Sequence, residues 1–144
     1  MEDYLKLLLK QLEKNLQINE FAKRERAAIA SGDLGIVMES DALRREIIGD
    51  LKSLQSEMDP YIERLQQDFE YLSVPVKEQI VTASRQLQEI IRETMAIDGE
   101  NEINLGKLRE GLSERIEEIG RGKKALNGYK NPPRKAPKLF NGAV

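Results

Sequence analysis

The sequence predicts an all-α protein: an elongated antiparallel helical bundle with coiled-coil-like hairpins and a flexible basic C-terminal tail. Two observations support that prediction. Leu and Ile recur at steps of three and four residues along most of the chain, the period of a helix face rather than a strand. Charged residues make up 33% of the 144 residues and aromatics 5%, with no Trp, a balance that suits long helices with wet faces. Apolar residues still reach 40%, so wholesale disorder is not expected and a modest single-domain core is. The helical domain is placed at residues 1–128 and the tail at 129–144.

The first helix is expected from about Asp3 to Ala30. Leu5, Leu9, Leu12 and Leu16 share one face, and Phe21 and Ile29 continue the apolar side with a phase shift. Ser31-Gly32-Asp33 then reads as a stop and restart, with Gly32 free to take positive φ and Asp33 able to cap a new helix. The second helix keeps a stripe through Leu43, Ile47, Leu51, Leu54, Met58, Tyr61, Leu65, Phe69 and Leu72. Pro60 lies inside that stripe. It removes one helix hydrogen bond, so a kink or a break between two helices is expected near Met58-Asp59-Pro60.

Ser73-Val74-Pro75 reads as the next N-terminus, followed by Ile80, Ala83, Leu87, Ile90 or Ile91, Thr94 and Ile97. Asp98-Gly99-Glu100-Asn101 is expected to break that helix. A last helix then carries Leu105, Leu108, Leu112, Ile116, Ile119 and Leu126, weakened by Gly106, Gly111, Gly120 and Gly122 at about 1 kcal/mol each against Ala. Beyond Gly128, Asn131-Pro132-Pro133 and Pro137 cannot continue a helix. Stripes of this kind are ordinarily core. The last helix is the exception, because its glycines and the adjacent charge switch suit it to rearranging on binding.

The net charge of −2 hides a split. Residues 120–144 hold seven Lys or Arg and no acid, leaving 16 basic and 25 acidic residues, a net −9, on residues 1–119. Such asymmetry marks an interaction tail. The tail has few aromatics, Tyr129 and Phe140, and an acidic body repels phosphates, so nucleic acid is not the expected partner. No apolar run approaches the roughly 18–20 residues of a membrane span, so stable membrane insertion is not expected. The start Met-Glu-Asp-Tyr lacks the pattern of a signal peptide, and cytoplasm is the expected compartment.

Catalysis fails on residue supply. With no His and no Cys, a Ser-His-Asp triad, a Cys nucleophile and a zinc finger or zinc hydrolase are excluded. Glu110-Glu114 and Glu117-Glu118 read as solvated partners of nearby Lys and Arg. Gly120-Arg121-Gly122-Lys123-Lys124 has neither the spacing nor the context of a phosphate loop. No enzyme activity, cofactor or metal is expected.

Ala27-Ala28-Ile29-Ala30-Ser31-Gly32-Asp33-Leu34, a first helix ending in Gly-Asp, resembles the corresponding segment of the FlgN family of flagellar type III export chaperones. Glu39-Ser40-Asp41-Ala42-Leu43-Arg44-Arg45-Glu46-Ile47-Ile48 resembles its charged, Leu-rich continuation. Asn101, Asn104-Leu105 and Leu108 resemble the Asn-rich start of its last helix, and Gly122-Lys123-Lys124-Ala125-Leu126-Asn127-Gly128-Tyr129 resembles its end. The Pro-containing stretch from Asn131 to Lys138, followed by Leu139-Phe140-Asn141, departs from the pattern and leaves the role of the extreme C-terminus open.

The resemblance implies a cytoplasmic chaperone for hook-associated proteins. It would cover their amphipathic terminal segments before these form coiled coils, and deliver them to the export gate. It implies client binding on Leu105, Leu108, Leu112, Ile116, Ile119 and Leu126, and export-gate docking at Tyr129. A filament-cap chaperone of the FliT group, or a self-associating coiled coil without a client, carries similar helices. Both readings stay open, as does the oligomeric state.

Overall fold

The structure, a computed structural model, describes residues 2–130 and the side chains of residues 2–128. It is all-α, with no strand among the described residues: α1 (Glu2–Ser31), α2 (Leu34–Asp68), a 3-10 turn (Phe69–Tyr71) and α3 (Val74–Lys130). The described residues divide into two units, one up to Ile103 and the other from Asn104 onward.

The α1–α2 turn follows the chemistry of its residues. Gly32 sits at φ +76°, where a side chain is strained and glycine is not. Its N–H donates to the Ile29 carbonyl at 3.1 Å, and the Asp33 N–H donates to the Ala28 carbonyl at 2.8 Å. Those two bonds make a Schellman ending for α1. Asp33 then turns its carboxylate onto the Ile36 N–H at 3.2 Å, capping α2 as the sequence predicts. The α3 start is also as expected, with Pro75 in the first turn, where its missing N–H costs nothing.

Within the first unit the pairings give the directions of the helices. Gln11 bonds Gln55, Lys14 pairs with Asp50 and Glu25 with Arg44, so α1 and α2 are antiparallel. Asn19 meets Thr94 and Ala22 meets Asn101, so α3 runs parallel to α1. The three helices therefore run up, down and up around a core built on Tyr4, Leu8, Met58, Ile80 and Ala83. Ala22 is fully covered and Ala28 nearly so; short side chains there let the helices approach closely.

Three sequence expectations are corrected. Asp98-Gly99-Glu100-Asn101 does not break the helix, because α3 is continuous from Val74 to Lys130. Asp98 is held by Arg44 and Asn101 by the Ala22 carbonyl. These ties offset the roughly 1 kcal/mol that Gly99 costs. Asp59-Pro60 does not split the second helix, since α2 runs through Pro60. Met58 on one side is buried, and Tyr61 and Ile62 on the other lean on the same core, which holds the helix across the missing hydrogen bond. Finally, α2 ends at Asp68, so Phe69 belongs to the 3-10 turn and Leu72 to the connection.

The buried face of α1 also differs from its leucine stripe. Tyr4, Leu8, Ile18, Asn19, Ala22, Glu25, Ala28 and Ile29 are buried, whereas Leu9 is 49% and Leu16 45% exposed. The Leu5-Leu9-Leu12-Leu16 stripe lies roughly a third of a turn round the helix from the buried side. Of the tail expected at 129–144, everything beyond Lys130 lies outside the described residues.

Candidate partner-binding face

The second unit, described over residues 104–130, is a single helical segment of α3. Leu105, Leu108, Leu112, Ile116, Ile119 and Leu126 follow one another at steps of three, four, four, three and seven, which gathers them on one side of that segment. Leu105, Leu108 and Leu112 are half-buried. Ile116 is 69% exposed, Ile119 57% and Leu126 53%. No side chain described from Asn104 to Gly128 is buried. The structure thus brings the six residues expected to form a client-binding face onto one side, while the Tyr129 side chain, the expected export-gate contact, lies outside the described residues.

This segment is energetically thin. Most helical stability in proteins comes from packing of a buried face, which no side chain described here supplies in full, and four glycines weaken the helix further. A Cβ at Gly106, Gly111, Gly120 or Gly122 would meet nothing within 4 Å, so no close approach within the described chain requires them. Charge changes along the same segment. Glu110, Glu114, Glu117 and Glu118 alternate with Lys107, Arg109 and Arg115, and then Arg121, Lys123 and Lys124 follow with no acid.

The first unit holds a feature that composition does not announce, a layer of buried polar side chains. Asn19 donates to the Thr94 hydroxyl at 3.0 Å, and that hydroxyl donates to the Ile90 carbonyl at 2.8 Å. Asn101 donates to the Ala22 carbonyl at 2.9 Å. Arg44 makes a bidentate pair with Asp98 at 2.7 and 2.9 Å, and its Nη1 also reaches Glu25 Oε2 at 3.3 Å. Glu25 Oε1 and Asn101 Oδ1 are buried and accept no hydrogen bond from the described residues. The layer therefore ties all three helices together with directional bonds, which fixes their register.

Glu25 is held above the ordinary carboxylate range. Burial is the main cause, the nearby negative charges of Asp41 and Asp98 add to it, and Arg44 opposes it. A carboxyl whose folded pKa is raised contributes stability that is fully present below its unfolded pKa and is lost as pH rises through the folded one. Glu25→Gln is therefore expected to be at least as stable as wild type at pH 7. Wild type should gain on the variant as pH falls toward 4.5, the ordinary value for this group. Urea unfolding of both proteins between pH 4.5 and 7.5 checks this. A wild-type protein that loses ground to the variant as pH falls would reverse the sign.

From sequence alone Glu25 and Arg44 have no site role, and Asp98 and Asn101 stand as part of an expected helix stop. A signal was present for two members of the layer. Thr94 and Asn101 stand at steps of three and four from Ile97 and Leu105, where apolar residues are the rule, so polar side chains there point to a buried partner.

Among the described residues no helix is long and apolar enough to cross a membrane, and no carboxylate cluster is arranged to hold a metal ion. No family profile, curated protein or solved structure matches this chain.

Proposed function

We propose that this protein works by holding helices of a partner on the Leu105–Leu126 side of α3, without catalysing a reaction. The observation that supports this best is the row of exposed Ile116, Ile119 and Leu126 continuing from half-buried Leu105, Leu108 and Leu112. Large aliphatic side chains at helical spacing are costly to leave in water, at about 1.5–3 kcal/mol each when fully covered. A partner's amphipathic helix covers such a row through contacts at matching three- and four-residue steps. The glycine-weakened backbone beneath the row suits a segment that gains order on binding.

The resemblance to FlgN-type export chaperones gives the partner a class. In this proposal the clients are flagellar hook-associated proteins, whose amphipathic terminal segments are kept apart until export. The chaperone acts in the cytoplasm, and Tyr129 docks to the export gate. Because the row is aliphatic and the charges beside it are mixed, affinity comes from apolar burial, and charge serves orientation.

The test is titration calorimetry of the full chain against terminal segments of hook-associated proteins. Leu112→Asp/Ile116→Asp is expected to lower affinity roughly 100-fold or more, from two aliphatic contacts at about 1.5 kcal/mol or more apiece. Helicity and the unfolding of the first unit should change little, because neither residue is buried. Equal binding by both proteins would reject this face. An oligomer that the same double substitution dissolves would replace the client with a second copy of this chain.

A further inference from the structure

We infer that the groove between α1 and α3 in the first unit is a separate docking surface, whose occupant is a partner's amphipathic helix carrying Lys or Arg beside its apolar stripe. The α1 wall is the leucine stripe, in which Leu9 and Leu16 are about half exposed while Leu5 also leans on the core. Leu5 and Leu9 line a hollow of about 580 Å³ with Thr82 and Ala83 on α3. Leu12 and Leu16 line an adjoining one of about 340 Å³ with Ile90, and Gln86 lines both. The four leucines step along α1 by four, three and four residues, a rise of roughly 16 Å or three helical turns. Thr82 and Ala83 are short and leave depth for side chains reaching in from above. A valley between two parallel neighbouring helices is also where a fourth helix completes a bundle.

Charge selects the occupant. The charged residues lining the two hollows are Glu78, Glu89 and Glu93, and all are acidic. Glu78 and Glu89 make no salt bridge among the described residues, while Glu93 pairs with Lys23 at 3.6 Å. That lysine is shared with Glu20 at 3.8 Å, so the cation beside Glu93 is already engaged. An acidic rim around an apolar floor repels phosphates and acidic helices and steers a basic helix into place. This assignment stands apart from the proposal for residues 105–126, because it uses none of those side chains.

Two synthetic peptides of about 18 residues test it, each with Leu at steps of three and four, one flanked by Lys and the other by Glu. Fluorescence anisotropy is read against the full chain carrying Leu112→Asp/Ile116→Asp, which removes the α3 row from the measurement. The Lys peptide is expected to bind at least tenfold more tightly than the Glu peptide, and the difference should shrink as salt rises. Adding Leu9→Ser/Leu16→Ser should weaken it at least tenfold with circular dichroism and thermal unfolding unchanged, since both leucines are about half exposed. Adding Glu78→Lys/Glu89→Lys should reverse the preference. Equal binding of the two peptides, or no binding of either, overturns the inference. So does a concentration-dependent dimer that Leu9→Ser/Leu16→Ser abolishes, because the occupant is then a second copy.

Discussion

Arg44→Met is expected to destabilise the first unit by about 1.5–3 kcal/mol, the range for hydrogen bonds to charged groups, because it leaves the buried Glu25 without its cation while Asp98 is partly exposed. Arg44 is the only cation bonded to Glu25 among the described residues, and it also anchors Asp98 through two short hydrogen bonds. Met keeps much of the apolar stem, so the loss reports charge and hydrogen bonding more than volume. Without Arg44 the buried Glu25 carboxylate faces Asp41 and Asp98 alone. Its proton affinity then rises further, and the deficit should shrink between pH 7 and pH 4.5 as Glu25 takes up a proton. Glu25→Gln in the Arg44→Met background should restore part of the loss, and the double-mutant cycle should give a coupling of opposite sign to the Arg44→Met cost. Urea unfolding followed at 222 nm measures all three variants. A cost below about 1 kcal/mol for Arg44→Met would place the trio with ordinary surface pairs.

The other large effect separates two adjacent leucines. Leu8→Ala is expected to cost about 2–5 kcal/mol, the range for emptying a packed site, because Leu8 is buried against Met58, Ile80 and Ala83. Leu9→Ala should cost about 0.5 kcal/mol or less, as for a surface position. The same unfolding experiment reads both. Comparable costs at the two positions would mean that the leucine stripe of α1, and not the Tyr4–Leu8 side, faces the core. That result would also remove the basis of the α1–α3 groove.

These two leucines show how far the fold was legible in the sequence. Helix periodicity, the Gly32-Asp33 turn and the Pro75 start are local properties, encoded by one residue's φ or one side chain's reach, and they were readable as such. Which side of an amphipathic helix is buried depends on what the other helices bring to it. In α1 the most regular Leu repeat lost to a mixed side of Tyr4, Leu8, Asn19 and Ala22, since Asn19 finds Thr94 and Asn101 finds the Ala22 carbonyl. Gly99 and Pro60 failed as stops for the same reason. Local propensity costs of about 1–3 kcal/mol are outweighed when the residues on either side are tied across the bundle. The α3 row was legible because its spacing is regular and its glycines are dense. The Glu25–Arg44–Asp98 trio was hidden because its members are 19 and 54 residues apart in sequence, and charges on a charged chain give no sign of burial.

In the proposed function, the Leu105–Leu126 side of α3 is a helix face completed by a partner. Amide hydrogen exchange resolved along α3, measured with and without a client terminal segment, tests it most directly. In the free protein, residues 80–101 should exchange slowly and residues 104–128 rapidly, as for a segment with few buried contacts. Adding the client should slow exchange across 105–126, leave 80–101 nearly unchanged, and have no effect in Leu112→Asp/Ile116→Asp. Residues 104–128 protected in the free, monomeric protein as strongly as 80–101, with no change on adding the client, would contradict the account.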